Sequence, residues 1–264
     1  MNVFSRRTWL QGTPLLLPWR QRLSAATPGG QAIAPTFPAQ PLEMVKEMVT
    51  VSHGNLKRVR ELVEEHASLA KAAWDWGFGD WETALGAASH TGSREIAELL
   101  ISKGARPTLF SAAMLGQLAV VKAFVAAQPG AQQVLGPHSI PLLTHAKLGG
   151  PAAAEVYRYL EALGDAGGLP SAAITEEDIM RLSGTYVFGG QPADRIEIGI
   201  SMKAFCFTRH GATARPLYRI AGDEFRPAGA EAVRIRFAKD GGELALQVYD
   251  PALVLTARRV EVGN

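Results

Sequence analysis

The sequence predicts a multidomain α plus β protein, with a helical solenoid of about four repeats over residues 42–168 and a small antiparallel β-barrel or half-barrel over residues 183–262. Three observations carry this. An apolar stripe recurs at fixed distances after glycines Gly54, Gly92, Gly116 and the Gly149-Gly150 pair. Composition changes after Gly167-Gly168-Leu169-Pro170. Beyond that point the apolar period switches from that of a helix to that of a strand.

The first 26 residues carry four arginines (Arg6, Arg7, Arg20, Arg22) and no acid. Ser5-Arg6-Arg7-Thr8-Trp9-Leu10 resembles the twin-arginine export signal, with Trp9 and Gln11 in place of the usual Phe and Lys. A short apolar run around Leu15-Leu16-Leu17 follows, and Ser24-Ala25-Ala26 offers small residues for cleavage. The resemblance implies a periplasmic or secreted protein; Pro14, Pro18, Arg20 and Arg22 depart from the pattern, and without a working leader the chain stays cytoplasmic. No stretch reaches the ~20 apolar residues of a membrane-spanning helix. Residues 27–41 contain too many prolines and glycines for a helix and read as a linker.

In the repeat region, Val59, Ala97 and Val121 fall five residues after their glycines, Leu62, Leu100 and Phe124 eight after, and Val63, Ile101 and Val125 nine after. These offsets turn one helix face toward a common core. Ser93 is placed to cap its helix, and Lys103-Gly104 to end it. A shorter helix rich in small residues precedes each of the last three anchors. One such unit cannot bury its own apolar face, so stacking is required.

Thr83-Ala84-Leu85 and Ile140-Pro141-Leu142-Leu143 resemble the Thr-Pro-Leu-His motif of ankyrin repeats, and Gly92 through Arg106 follows their second-helix pattern. The resemblance covers residues 42–168 and implies a protein-binding scaffold. The anchor spacings are 38, 24 and 33 residues, against an ankyrin period of about 33. The finger between repeats one and two is therefore enlarged, and the next one is missing.

The enlarged finger holds Trp74, Asp75, Trp76, Phe78, Asp80 and Trp81. Aromatic rings beside acids suit an interface with a cationic or amphipathic partner, and these six residues are the expected partner-binding set, Trp76 and Phe78 foremost between Gly77 and Gly79. Folding back onto the stack is the alternative for the same rings. His53 and His90 each stand just before an anchor glycine, which makes a metal pair conceivable. A repeat step separates them, however, so no metal site is expected, and His145 reads as a helix residue.

Residues 169–182 form a linker and a short helix opened by Thr175. Alternating Ile196, Ile198 and Ile200, then Val233, Ile235 and Phe237, then Leu244, Leu246 and Val248 mark strands. Asp240-Gly241-Gly242 marks a hairpin. Seven or eight strands are expected. Leu182-Ser-Gly-Thr-Tyr186, Phe225-Arg-Pro and Val233-Arg-Ile-Arg-Phe237 are similar to accessory β-domains of exported serine hydrolases; a lipocalin-like cup carrying a small hydrophobic ligand is the alternative. Cys206, the single cysteine, reads as a buried thiol.

Net charge is +2 over 264 residues, and it falls to −2 without the leader. A folded part without basic excess argues against nucleic acid as a partner. The sequence contains no Gly-x-Ser-x-Gly elbow, phosphate loop, His-Glu-x-x-His or paired cysteines. It therefore predicts a protein–protein interaction scaffold, not an enzyme, with no cofactor and an unidentified protein partner. A minor enzyme reading would use His53, Asp75, Asp80 and His90.

Overall fold

The computed structural model describes Ile33 and residues 35–260. The leader and most of the linker lie outside the described residues. From Ala39 onward the chain forms one compact unit, of mixed α and β structure: helices followed by a closed eight-stranded antiparallel barrel.

Eight of the helices fall into four sequential pairs: α1 (Leu42–Val51) with α2 (Leu56–Glu65), α3 (Ala84–His90) with α4 (Arg94–Ser102), α5 (Leu109–Met114) with α6 (Leu118–Ala127), and α7 (Leu142–Leu148) with α8 (Ala154–Leu163). The first helices pack in series, α1 on α3, α3 on α5 and α5 on α7, while α2 packs on α4 and α6 on α8. Two of the anchor glycines have a steric basis. Gly92 and Gly116 take φ of +71° and +76°, and a Cβ would lie 2.4 Å from the Leu148 carbonyl oxygen and 2.0 Å from that of Ala152. No side chain fits there, whatever its chemistry.

Val59, Ala97, Val121, Leu62 and Leu100 are buried as the register requires. Two expectations fail. Phe124 is 44% exposed, because α6 packs on α5 and α8 without the broad contact to α4 that α2 makes; with the intervening finger shortened, nothing covers that face. Ser93 stands at the N-cap of α4, but its side chain makes no capping bond. Its hydroxyl donates instead to the His53 carbonyl at 3.3 Å, tying the first pair to the second. The predicted stop at Lys103-Gly104 holds, with Gly104 at φ +91° and the Ala105 amide returning to the Leu100 carbonyl.

Between α2 and α3 the enlarged finger is a hairpin of β1 (Ala73–Asp75) and β2 (Trp81–Thr83). Its register sets Trp74 opposite Glu82 and Asp75 opposite Trp81. Strand alternation then decides which residues turn inward: Glu82 is fully buried and Trp74 half-buried, whereas Asp75 and Trp81 face out.

Helix α9 (Glu176–Leu182) opens with a capping box between Thr175 and Asp178. It packs on the barrel and adds Leu182 to the barrel core. The barrel strands are β3 (Gly184–Val187), β4 (Arg195–Ser201), β5 (Ala204–Arg209), β6 (Arg215–Ala221), β7 (Glu224–Pro227), β8 (Arg234–Asp240), β9 (Glu243–Asp250) and β10 (Ala252–Arg259). They run in sequence order, and β10 closes on β3. Closure removes the exposed edges that a meander would leave. The expected hairpin is present: Asp240 pairs with Glu243, and Gly241 and Gly242 both have positive φ. Inside the barrel, Phe225 meets Phe205 and Phe237 with ring centroids 5.9 and 5.7 Å apart, and Tyr186 meets Phe237 at 5.7 Å. Cys206 is buried and free, as expected, and burial raises its thiol pKa. Among the described residues no helix is long and apolar enough to cross a membrane.

Candidate metal centre

Three histidines and a glutamate converge where the finger meets the helices. His53 follows α1, Glu82 lies on β2, His90 ends α3, and His138 belongs to the loop before α7. One ligand atom from each lies within 4.8 Å of all the others. Glu82 is central. Its Oε1 accepts from His90 Nε2 at 2.7 Å, and its Oε2 accepts from Trp76 Nε1 at 2.8 Å and lies 3.4 Å from His138 Nε2 and 3.6 Å from His53 Nε2. For a tetrahedral ion with bonds of about 2.0–2.1 Å, ligand atoms sit about 3.3 Å apart. The His53 and His138 separations match this, and the His90 contact has to open by several tenths of an ångström.

The outer contacts favour ligation more strongly than the distances do. Ring nitrogen Nδ1 of His138 donates to Asp80 Oδ2 at 2.8 Å, and Nδ1 of His53 donates to the Thr50 carbonyl at 3.0 Å. Each contact fixes its ring and turns Nε2 toward Glu82. A ligating imidazole held by a carboxylate or carbonyl through its other nitrogen is the usual arrangement in metal sites. Asp80 is itself held by the His138 amide at 2.9 Å and by Arg215 Nη1 at 3.1 Å. Arg215 comes from β6 of the barrel and also donates to the carbonyls of Trp76, Gly77 and Ala228. The barrel thus buttresses a cluster whose inner residues all come from the helical region.

Charge in the cluster follows from this geometry. Burial alone would raise the carboxyl pKa of Glu82, but hydrogen bonds from His138 and His90 hold it down to about 2. Asp80 is likewise penalised by burial, yet His138 and Arg215 keep it below the ordinary range. Burial disfavours the His138 cation, and the bonds to Asp80 and Glu82 more than offset that, raising it to about 9. Metal-free, His138 therefore supplies a positive charge that an ion would replace.

Backbone geometry at the cluster is unusual. His138 and Ser139 both take left-handed φ, +59° and +58°. Such conformations cost of order 1–3 kcal/mol each and persist where surroundings over-determine them. Here the His138 amide is claimed by Asp80, and the Ser139 hydroxyl accepts from the Gly229 amide while donating to Glu231.

The six expected partner-binding residues separate into two groups. Asp80 is only 4% exposed and committed to His138 and Arg215. Trp76 donates to Glu82, Trp74 lies under the Lys46 ammonium at 5.5 Å, and Phe78, still 37% exposed, meets Phe207 of the barrel in a tilted pair at 6.0 Å. Asp75 is exposed and accepts from the Gly77 amide, and Trp81 is 63% exposed. The finger's acids were expected beside the rings at an interface; Asp80 and Glu82 point inward because strand phase and the β6 arginine take them there.

His53 and His90 were expected to lie too far apart to share a ligand. Their ring centroids are 4.9 Å apart. A repeat step of about 10 Å separates backbones, and two side chains leaning toward each other across α1 and α3 close it. His138 was not singled out in the sequence, where it is one loop histidine after Gly136-Pro137. His145 is a helix residue as expected, with Nδ1 on the Pro141 carbonyl and Nε2 buried without a partner.

A cavity of about 510 Å³ adjoins the cluster, lined by His53, Trp76, Asp80 and His138 of the helical region and by Met202, Arg215, Pro216 and Ala228 of the barrel. No family model matches this chain, and no curated protein matches it either.

Proposed function

We propose that this protein binds a divalent first-row transition ion through His53, Glu82, His90 and His138, in a site built by an ankyrin-type helical stack and braced by the barrel. One observation carries the proposal: four potential ligands converge, and two of the imidazoles have Nδ1 held, by Asp80 and by the Thr50 carbonyl, so that Nε2 is turned toward Glu82. Three imidazoles and one carboxylate suit zinc, iron, nickel or copper better than magnesium or calcium, which take oxygen sets. The ion would supply Lewis acidity at the cavity wall, while the protein's part is to fix the rings and to keep Asp80 charged behind His138. A twin-arginine leader would place the site in the periplasm; Arg6→Lys with Arg7→Lys should then retain the precursor in the cytoplasm, and unchanged export would remove that part.

The test is zinc titration of the chelator-treated full chain by calorimetry. One zinc per chain is expected. Glu82→Gln and His138→Asn should each weaken binding at least a hundredfold, and His66→Ala, outside the cluster, should not. Absence of binding, or binding indifferent to both cluster variants, would overturn the proposal.

A second reading, an interaction scaffold, is favoured by the outward-facing Trp81 and by Val120 and Phe124 on α6. Exposed aromatics at a finger tip suit a protein interface. If that reading holds, Trp81→Ala and Phe124→Ser should abolish partner capture from periplasm while leaving zinc binding intact; unchanged capture would remove it.

A further inference from the structure

The cavity beside the cluster has a charge and a shape that specify more than an ion. Its volume of about 510 Å³ falls in the range of small-molecule sites, about 300–1,000 Å³. His53 and His138 both line it, so one of its walls is the face of the ligand set. Much of the rest is apolar: Trp76, Met202, Ala214, Pro216 and Ala228.

The charges around it do not cancel once a dication is bound. Glu82 offsets one unit of the ion, and Asp80 offsets Arg215. One positive unit then remains at the ligand set, and Lys46 adds another at the rim, where it has no ion-pair partner among the described residues and lies over the Trp74 ring. Uncompensated positive charge against apolar walls selects an anion with an apolar body.

The barrel's contribution supports this independently. The β4–β5 hairpin turns on Met202 and Lys203, with φ of +48° and +63°. A two-residue turn of this kind normally takes Asn-Gly, since positive φ is unfavourable for other residues. Here an unbranched thioether occupies the first position, 65% exposed, and its side chain forms part of the cavity wall. Methionine at an open wall adapts to the shape of an apolar guest.

We propose that this cavity takes a small organic anion, an aryl or alkyl carboxylate in chemical class, with its acidic head toward His53 and His138 and its apolar body between Trp76, Met202 and Pro216. This rests on the metal reading, because the ion supplies the unbalanced positive charge at the cavity wall.

The experiment uses the full chain loaded with cobalt(II), whose visible spectrum responds to a change in ligands. The probes are 4-phenylbutyrate, acetate and the neutral 4-phenylbutyramide. Phenylbutyrate should perturb the spectrum at a concentration at least tenfold below that needed for acetate, and the amide should leave it unchanged. Met202→Gly, which suits the turn, and Lys46→Gln should each raise the phenylbutyrate midpoint three- to tenfold with cobalt affinity unchanged. Equal midpoints for the two acids, a response to the amide, or indifference to both variants would overturn the proposal and leave the metal site standing. Failure to bind cobalt at all would remove both.

Discussion

Replacing Arg215 by methionine tests how the barrel and the cluster depend on each other. The side chain is 10% exposed and the carboxylate it faces, Asp80, is 2% exposed. Methionine keeps most of the aliphatic volume and deletes four hydrogen bonds, one to Asp80 and three to carbonyls. Breaking a buried ion pair from one side costs roughly 3–5 kcal/mol, because the remaining charge stays buried. Asp80 keeps its two bonds from His138, so the lower end applies, about 3 kcal/mol. For a chain of this size that corresponds to a fall of about 6–12 °C in Tm. Metal affinity should also fall, by roughly 10–100-fold, as for other residues that orient a ligand from behind. Urea unfolding followed by tryptophan fluorescence measures the first effect, and zinc calorimetry the second. A variant with wild-type stability and wild-type zinc affinity would refute the idea that Arg215 holds Asp80 in place. Loss of stability with unchanged affinity would refute only the coupling to the cluster.

Gly229→Ala places a Cβ within 2.1–2.4 Å of the Asp80 carboxylate at a residue with φ of +74°, and it should destabilise by more than about 2 kcal/mol, read as a reduced urea midpoint; a neutral outcome would mean the β7–β8 turn is free to move. Burial pushes His145 down to about 4 against the opposing Pro141 hydrogen bond. Its contribution is complete above pH ~6.5 and lost as pH falls toward 4, worth at most about 3 kcal/mol; His145→Gln should flatten that part of the stability profile, and an unchanged profile would refute the assignment. Burial raises Tyr186 to about 12, and its hydroxyl donates to the Leu182 carbonyl at 2.7 Å. Stability should therefore fall as pH rises from 10 to 12, and Tyr186→Phe should remove that alkaline loss while costing roughly 1 kcal/mol at neutral pH.

Much of the backbone plan was legible because it is written in local periodicity. The offsets after Gly54, Gly92 and Gly116 give the second helices, and alternation at Ile196–Ile198 and Ile235–Phe237 gives barrel strands; each signal is complete within ten residues. What failed was set by neighbours. Phe124 has the right offset but no covering helix, and Ser93 has the right position for a cap but its hydroxyl is turned to the His53 carbonyl. Closure of the barrel by β10 on β3 joins residues about seventy positions apart, which no local pattern specifies.

The cluster was hidden for the same reason, at longer range. Its four side chains come from four segments spread over 86 positions of the chain, and only Glu82 and His90 are near neighbours in sequence. One clue was nonetheless local. In the finger, Glu82 alternates in phase with Trp74 and Trp76, so burying the tryptophans required burying the acid. A carboxylate taken fully from water must be paired or protonated, and within reach the stack offers histidines. The histidines that reach Glu82 from this side are His53, just before Gly54, and His90, two residues before Gly92. Those two turns are tied directly, by the Ser93 hydroxyl donating to the His53 carbonyl at 3.3 Å. His138 completes the set only through a left-handed loop held by Asp80.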